Sequence, residues 1–259
     1  MNKNEAKWTI PCSQRNYTFD NFVIGDSNSF AASIAKAIVN TPGGNYNPFF
    51  IYGASGLGKT HLLQAIKNEI KKNTPTSLIH YTTAESFSKE FIYTIRHSED
   101  VELIKRFHDK YWNFDVLMID DVEFFACKNS AQECLFHLFN DLNDANKQII
   151  LTSDRPIKEL RYIEERLTNF FAGGIIANIL PPSYEMRISI LQKKTDQYRL
   201  PASPTLLMYI AEHEKENIRI MEGMLKTVSY YASVNNLPLD SIATIKEALH
   251  ESEPILRNP

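Results

Sequence analysis

Residues 53–60 read GASGLGKT, from Gly53 through Ala54, Ser55, Gly56, Leu57 and Gly58 to Lys59 and Thr60. The stretch fits the pattern G-x-x-x-x-G-K-[ST], and it stands where a phosphate-binding loop has to stand. Before it, following Pro48, the run Phe49, Phe50, Ile51, Tyr52 has the character of a short buried strand. After it, Leu62, Leu63, Ile66 and Ile70 share one helical face until Asn73 and Pro75 end the pattern. Glycines let the backbone curl so that successive N–H groups face a phosphate, and the helix opening at Lys59 adds the positive end of its dipole. Lys59 is expected to reach the β- and γ-phosphates of ATP, or the end of ADP, and the Thr60 hydroxyl to coordinate Mg²⁺.

A second element completes this reading. Val116, Leu117, Met118 and Ile119 form an apolar run that ends on two carboxylates, Asp120 and Asp121. Ligands in open α/β sheets bind at the carboxyl ends of the strands. Asp120 is therefore the expected Mg²⁺ partner, and Asp121 is placed to polarise an attacking water. Thr152, Ser153 and Asp154 follow another apolar run, Ile149 to Leu151. Asp154 is a candidate for touching the γ-phosphate; its alternative role is to cap the loop before Pro156.

Around these motifs strands alternate with helices, which implies a parallel sheet between helical layers. Helical spacing covers 29–39, 84–96, 101–112 and 131–142, and strand character covers 77–81, 148–152 and 174–179. Phe87, Phe91 and Ile95 are expected to face inward from one helix, and Ile104 and Phe107 from the next. Pro181 and Pro182 mark a change, after which every segment reads as helix. The expected organisation is a flexible segment at 1–16, an α/β nucleotide-binding core at 17–182 and a small all-helical lid at 183–259.

Bulk properties exclude several classes. Of 259 residues, 43% are hydrophobic and 23% charged, and the net charge is −3. A chain-wide basic coat for nucleic acid is excluded. No run approaches the ~18 apolar residues of a membrane span. Three cysteines, Cys12, Cys127 and Cys134, fit no disulfide or zinc framework and read as reduced thiols in a cytoplasmic protein. His61 reads as part of the first helical turn after the loop.

Several stretches together resemble the ATPase region of DnaA, the bacterial replication initiator, within the AAA+ class. They are YTFDNFVIG (17–25), NPFFIYG (47–53), GKTHLL (58–63), IDDVEFF (119–125), KQIILTSDRP (147–156) and NIRIMEG (217–223). The resemblance implies a P-loop AAA+ fold with a five-stranded parallel sheet and a helical lid. It also implies an ATP-dependent switch in the initiation of chromosomal replication. It places Phe22, Gly25 and Asn28 in the segment that closes over adenine, makes Asp154 the first sensor and makes Arg219 the second. From the residues alone, Arg219 is equally a solvated helix residue. Head-to-tail self-assembly, or assembly with a related AAA+ partner, is implied on the Arg166 side. An alternative is a stand-alone relative that regulates initiation or loads helicase through protein contacts, without reading duplex DNA. A small-molecule kinase is disfavoured by the second acid at Asp121 and by the all-helical end of the chain.

The chain departs from that family in three places. Three residues beyond the Glu165-Arg166-Leu167 stretch, where the family carries an arginine finger, stands Phe170. An aromatic ring cannot stabilise developing negative charge, so stimulation of hydrolysis across a subunit contact is expected to be defective or to rely on Arg166. The family carries a helix-turn-helix duplex reader after the lid, and none is expected within residues 1–259. Finally, residues 88–110 hold five basic residues against five acidic ones, and Ser130 stands near Lys128 where many members carry arginine. Weak single-stranded DNA binding is the expectation.

Overall fold

The computed structural model describes residues 17–256; the lead-in expected at 1–16, with Cys12, lies outside them. The sheet is built from β1 (Phe49–Tyr52), β2 (Ile79–Thr83), β3 (Val116–Asp120), β4 (Gln148–Ser153) and β5 (Ile175–Asn178). Their order across the sheet is β2-β3-β4-β1-β5, and every pairing is parallel. The helices before and between them are α1 (Ser29–Asn40), α2 (Lys59–Asn73), α3 (Ala84–Arg96), α4 (Val101–Trp112), α5 (Asn129–Asp144) and α6 (Glu165–Ala172).

The strand residues explain the layers. Alternate side chains point to opposite faces. Phe49, Ile51, Val116, Met118 and Ile150 join the core beneath α1 and α2. Phe50, Leu117, Ile119, Ile149 and Leu151 join the core shared with α3, α4, α5 and α6. Both faces are covered, so the central strands are apolar throughout, as parallel sheets require. Because the strands are parallel, Tyr52, Asp120 and Ser153 all finish at one edge. The chain leaves β1 there and crosses past β4 and β3 to reach β2, which opens a crevice at that edge.

After Pro182 come α7 (Tyr184–Tyr198), α8 (Pro204–His213), α9 (Ile218–Asn235) and α10 (Ile242–Leu256). They enclose a separate core that includes Leu191, Leu206, Ile210, Met221, Leu225 and Ile245. The caps follow the sequence closely. Ser183, Ser203 and Asn217 each accept backbone N–H groups at their helix starts, and Pro204 occupies the first turn of α8.

Two expectations need correction. The second strand begins at Ile79, two residues later than its sequence signal, because the chain is still turning at Ser77, whose N–H bonds to the Thr74 carbonyl. Leu78 is fixed first, by Asp115 Oδ2 at 2.9 Å, and pairing starts with Ile79 opposite Val116. In addition, Ile95 and Ile104 are solvent-facing, at 52% and 40% exposure. Each four-residue step rotates a side chain about 40° past one full turn, so Ile95 has drifted off the stripe that Phe87 begins. Phe107 and Tyr111 bury α4 instead.

Candidate nucleotide-binding site

Lys59 sits at the start of α2 with its side chain buried under the loop. Its Nζ donates to the carbonyls of Gly53 at 2.5 Å and Ala54 at 3.1 Å. Burial lowers its pKa, opposed by the carboxylates of Asp121, Glu123, Asp120 and Asp154. The ammonium thus lies in an acidic field strong enough to matter, yet it pairs directly with none of these acids. Gly56 and Gly58 have φ of 82° and 98°, which give the loop a curl that side chains resist.

Asp120 is buried at the end of β3, and three hydroxyls bind it. Thr60 Oγ1 donates to Oδ2 at 2.8 Å, Tyr81 Oη donates to the same oxygen at 2.9 Å, and Thr152 Oγ1 donates to Oδ1. Thr60 thereby spends its proton on Asp120 and keeps its oxygen lone pairs available. That donor set fits a Mg²⁺ held chiefly by phosphate oxygens and water, with a hydroxyl from the protein. Among the described residues there is no group of three or more His, Cys, Asp or Glu side chains that could hold a metal without phosphate.

Asp121 turns the chain with φ 60° and ψ 56°, a left-handed conformation that aspartate tolerates. Its N–H donates to Thr152 Oγ1 at 3.0 Å. Burial, then the neighbouring Asp120, raise its carboxyl pKa, while Lys59 and Arg219 oppose the shift. Asp154 leaves β4 half-buried, with its carboxylate accepting from Arg155 Nε at 2.7 Å and from the other end of that guanidinium at 3.0 Å. That pairing holds its pKa down. Glu123, which carries no sequence signal, accepts the Asp154 N–H at 3.3 Å and has its pKa raised by burial.

The loop, Asp121 and the C-terminal helices border one open cleft of ≈ 860 Å³ counting its mouth. Phe22, Val23 and Asn28 line it, with Met186, Ile190 and Lys194 of α7. Ile218, Arg219 and Glu222 of α9 line it too, together with Lys59 and Thr60. Asn28 shapes its own segment. Its carboxamide donates to the Val23 carbonyl at 2.9 Å and accepts from the Gly25 N–H at 3.0 Å. Gly25 stands just outside the cleft, where a side chain would meet Met186 Sδ at 2.9 Å. Gly53, Ala54 and Asp120 lie behind the lining, and Asp154 is not part of it.

Sequence reasoning missed the hydroxyl set of Tyr81 and Thr152, and it undervalued His61. The His61 ring packs on Tyr17 and Phe22, and its Nε2 is 3.0 Å from the Thr18 carbonyl, so Nε2 carries the proton. Burial pushes its pKa down to about 4. His61 therefore fastens the 17–22 segment to α2.

Far along the chain, α6 presents a different picture. Phe170 stacks on Phe139 of α5, with centroids 5.2 Å apart and planes at 16°. Arg166 is held by Glu164 Oε2 at 2.5 Å and lies over the Phe136 ring at 4.9 Å.

A parallel sheet of order β2-β3-β4-β1-β5, carrying this loop and acid pair at one edge and a helical layer above it, defines a P-loop protein of the AAA+ class. The family model for the bacterial DnaA ATPase domain matches residues 13–178. The chain belongs to that family. It is 36% identical to domain III of the Thermotoga maritima replication initiation protein DnaA, with a TM-score of 0.85 over 95% of this chain and 99% of that one. It is 35% identical to the Aquifex aeolicus DnaA bound to AMPPCP, with a TM-score of 0.75 over 83% of this chain. The replication initiator DnaA bound to AMPPCP and single-stranded DNA matches with the same identity and score. The matched part spans 65% of each of those two chains, just under two thirds of their length. Among the described residues no helix is long and apolar enough to cross a membrane.

Proposed function

We propose that this chain binds Mg²⁺–ATP in the cleft and acts as an ATP-dependent switch of the DnaA type, in initiation of chromosomal replication in the cytoplasm. The observation that carries this reading is the convergence of Lys59, Thr60, Asp121 and Arg219 on one cleft, with Asp120 fixing Thr60 from behind. When bound, the metal neutralises charge on the β- and γ-phosphates. Lys59 supplies the fixed cation of the loop, and the N–H groups of residues 53–60 cradle the phosphate oxygens. Phe22, Val23 and Asn28, with Met186 and Ile190 in the same lining, form the slot for the base. Asp121 accepts a proton from, or orients, the attacking water, and Arg219 brings α9 to the γ-phosphate. Asp154 acts as the first sensor once it exchanges Arg155 for the nucleotide.

In this reading residues 17–182 are the core and the helices from 183 onward the lid. Hydrolysis is slow, because Phe170 offers no cation to a neighbouring subunit and Arg166 is already paired. Assembly runs head to tail on the Arg166 side. Single-stranded DNA binds weakly, since Lys89, Arg106 and Lys110 of the 84–112 region are each paired with a glutamate. Calorimetric titration of Mg²⁺–ATP into wild type and Lys59→Ala tests the central claim. Wild type binds and the variant does not; equal heats from both would end this reading.

A further inference from the structure

The start of α9 rests directly on the phosphate-binding loop. The Ile218 N–H donates to the Gly56 carbonyl at 3.1 Å, joining the C-terminal helices to the loop through the main chain. Beside that bond, the Asn217 carboxamide covers the face of Gly56. A methyl group added to Gly56 would stand 2.1 Å from Asn217 Oδ1, 2.5 Å from its Cγ and 2.9 Å from its Nδ2. The same Oδ1 caps α9, accepting from the N–H groups of Arg219 at 2.9 Å and Ile220 at 3.2 Å. Asn217 is itself held in place, because Glu214 Oε1 accepts its N–H at 2.8 Å and that of Glu216 at 3.0 Å.

One side chain therefore meets two parts of the site. It seats on a loop glycine whose φ of 82° belongs to the phosphate-binding curl, and it fixes the backbone of the residue that carries the cleft's arginine. We infer that Asn217 is a positioning residue: its seat on Gly56 sets the reach of Arg219, so the curl of the loop determines whether the arginine meets the terminal phosphate. This rests on the nucleotide reading above. Were Gly56 to flatten, its carbonyl would swing off the Ile218 N–H, and the first turn of α9 would lose both its bond and its footing. The lid would then close on a correctly wound loop and not on a slack one.

The cap and the seat can be separated. Serine caps a helix about as well as asparagine but is too short to cover Gly56. In Asn217→Ser, α9 and the melting temperature are retained. ATP-over-ADP preference falls roughly tenfold, the size expected for a charge-assisted hydrogen bond, with ADP affinity unchanged. Arg219→Ala should lose the same preference. If Arg219→Ala loses it and Asn217→Ser keeps it, the positioning role is wrong and the role of Arg219 stands. If Arg219→Ala also keeps it, both fall, while ADP binding still reports on the loop. A second measurement covers the case in which serine perturbs folding. Gly56→Ala weakens nucleotide binding through strain at its positive φ and through collision with Asn217, and adding Asn217→Ser restores the part that the collision causes. No recovery in the double variant overturns the contact.

Discussion

The two arginine-bearing helices, α6 and α9, treat their cations in opposite ways. On α9, Arg219 is exposed, and its charge is felt by Asp121 across the cleft. On α6, Arg166 is tied to Glu164 and lies flat on Phe136, while Phe170 is folded into the layer beneath. The first helix keeps a charge ready for an incoming anion; the second spends its charge at home and replaces the next one with a ring. Within one chain, one helix leaves its arginine open to the cleft and the other ties its arginine down.

Three variants sharpen or break that contrast. The largest effect is expected at the holding end. Lys59→Ala should reduce Mg²⁺–ATP affinity by about 100-fold or more, since hydrogen bonds to charged groups contribute about 1.5–3 kcal/mol each and the lysine makes several. A smaller loss would shift the weight of binding to the loop amides.

Next is Phe170→Arg, which exchanges the stack on Phe139 for a charge. Truncating a core phenylalanine costs about 3–5 kcal/mol, and this ring is half-buried, so a loss of about 2 kcal/mol is expected in urea unfolding. The same variant tests the functional side, through protein-concentration-dependent ATP hydrolysis. An unchanged unfolding midpoint would mean the ring contributes little to packing. Unchanged assembly and turnover would mean that Phe170 limits neither.

The smallest is Arg166→Ala. Its ion pair is about one third exposed, so solvent screening leaves only a few tenths of a kcal/mol to 1 kcal/mol. A larger loss would show that the cation on the Phe136 ring does more than cover it.

A pH experiment addresses the holding end from another direction. Burial holds the His61 pKa down to about 4 in the folded chain, against about 6.5 for a histidine in water. Above pH 6.5 the ring is neutral in both folded and unfolded chains and contributes nothing. As pH falls toward 4 the unfolded chain takes up a proton that the folded chain refuses, so stability declines across that window. Between pH 7 and pH 5 the loss should be about 2 kcal/mol, and His61→Gln should flatten it. A wild-type midpoint unchanged between those pH values would place the ring in water.

The residues that made the fold legible are those whose signal is local. The 53–60 loop, the apolar run before Asp120 and the Pro181-Pro182 break each announce themselves within a few positions, and the elements follow them within a residue or two. What stayed hidden depends on contacts between distant segments. Tyr81 and Thr152 look like ordinary strand residues until the order β2-β3-β4 brings their hydroxyls to Asp120. Glu123 gains its place only because β4 ends beside the turn after β3. His61 looked idle because its partner, Thr18, lies 43 residues away in a segment with no secondary structure. Phe170 was noticed as a departure, but only the packing against Phe139 shows where the ring went.

One oxygen atom deserves a last consequence. The Thr152 hydroxyl gives its hydrogen to Asp120 and receives one from the backbone of Asp121. The Asp120 carboxylate and the Asp121 backbone are thus joined through the adjacent strand, β4. A drift of β4 by a fraction of an ångström would therefore pull on the Asp120 carboxylate and on the turn at Asp121 together, from a strand that carries neither residue.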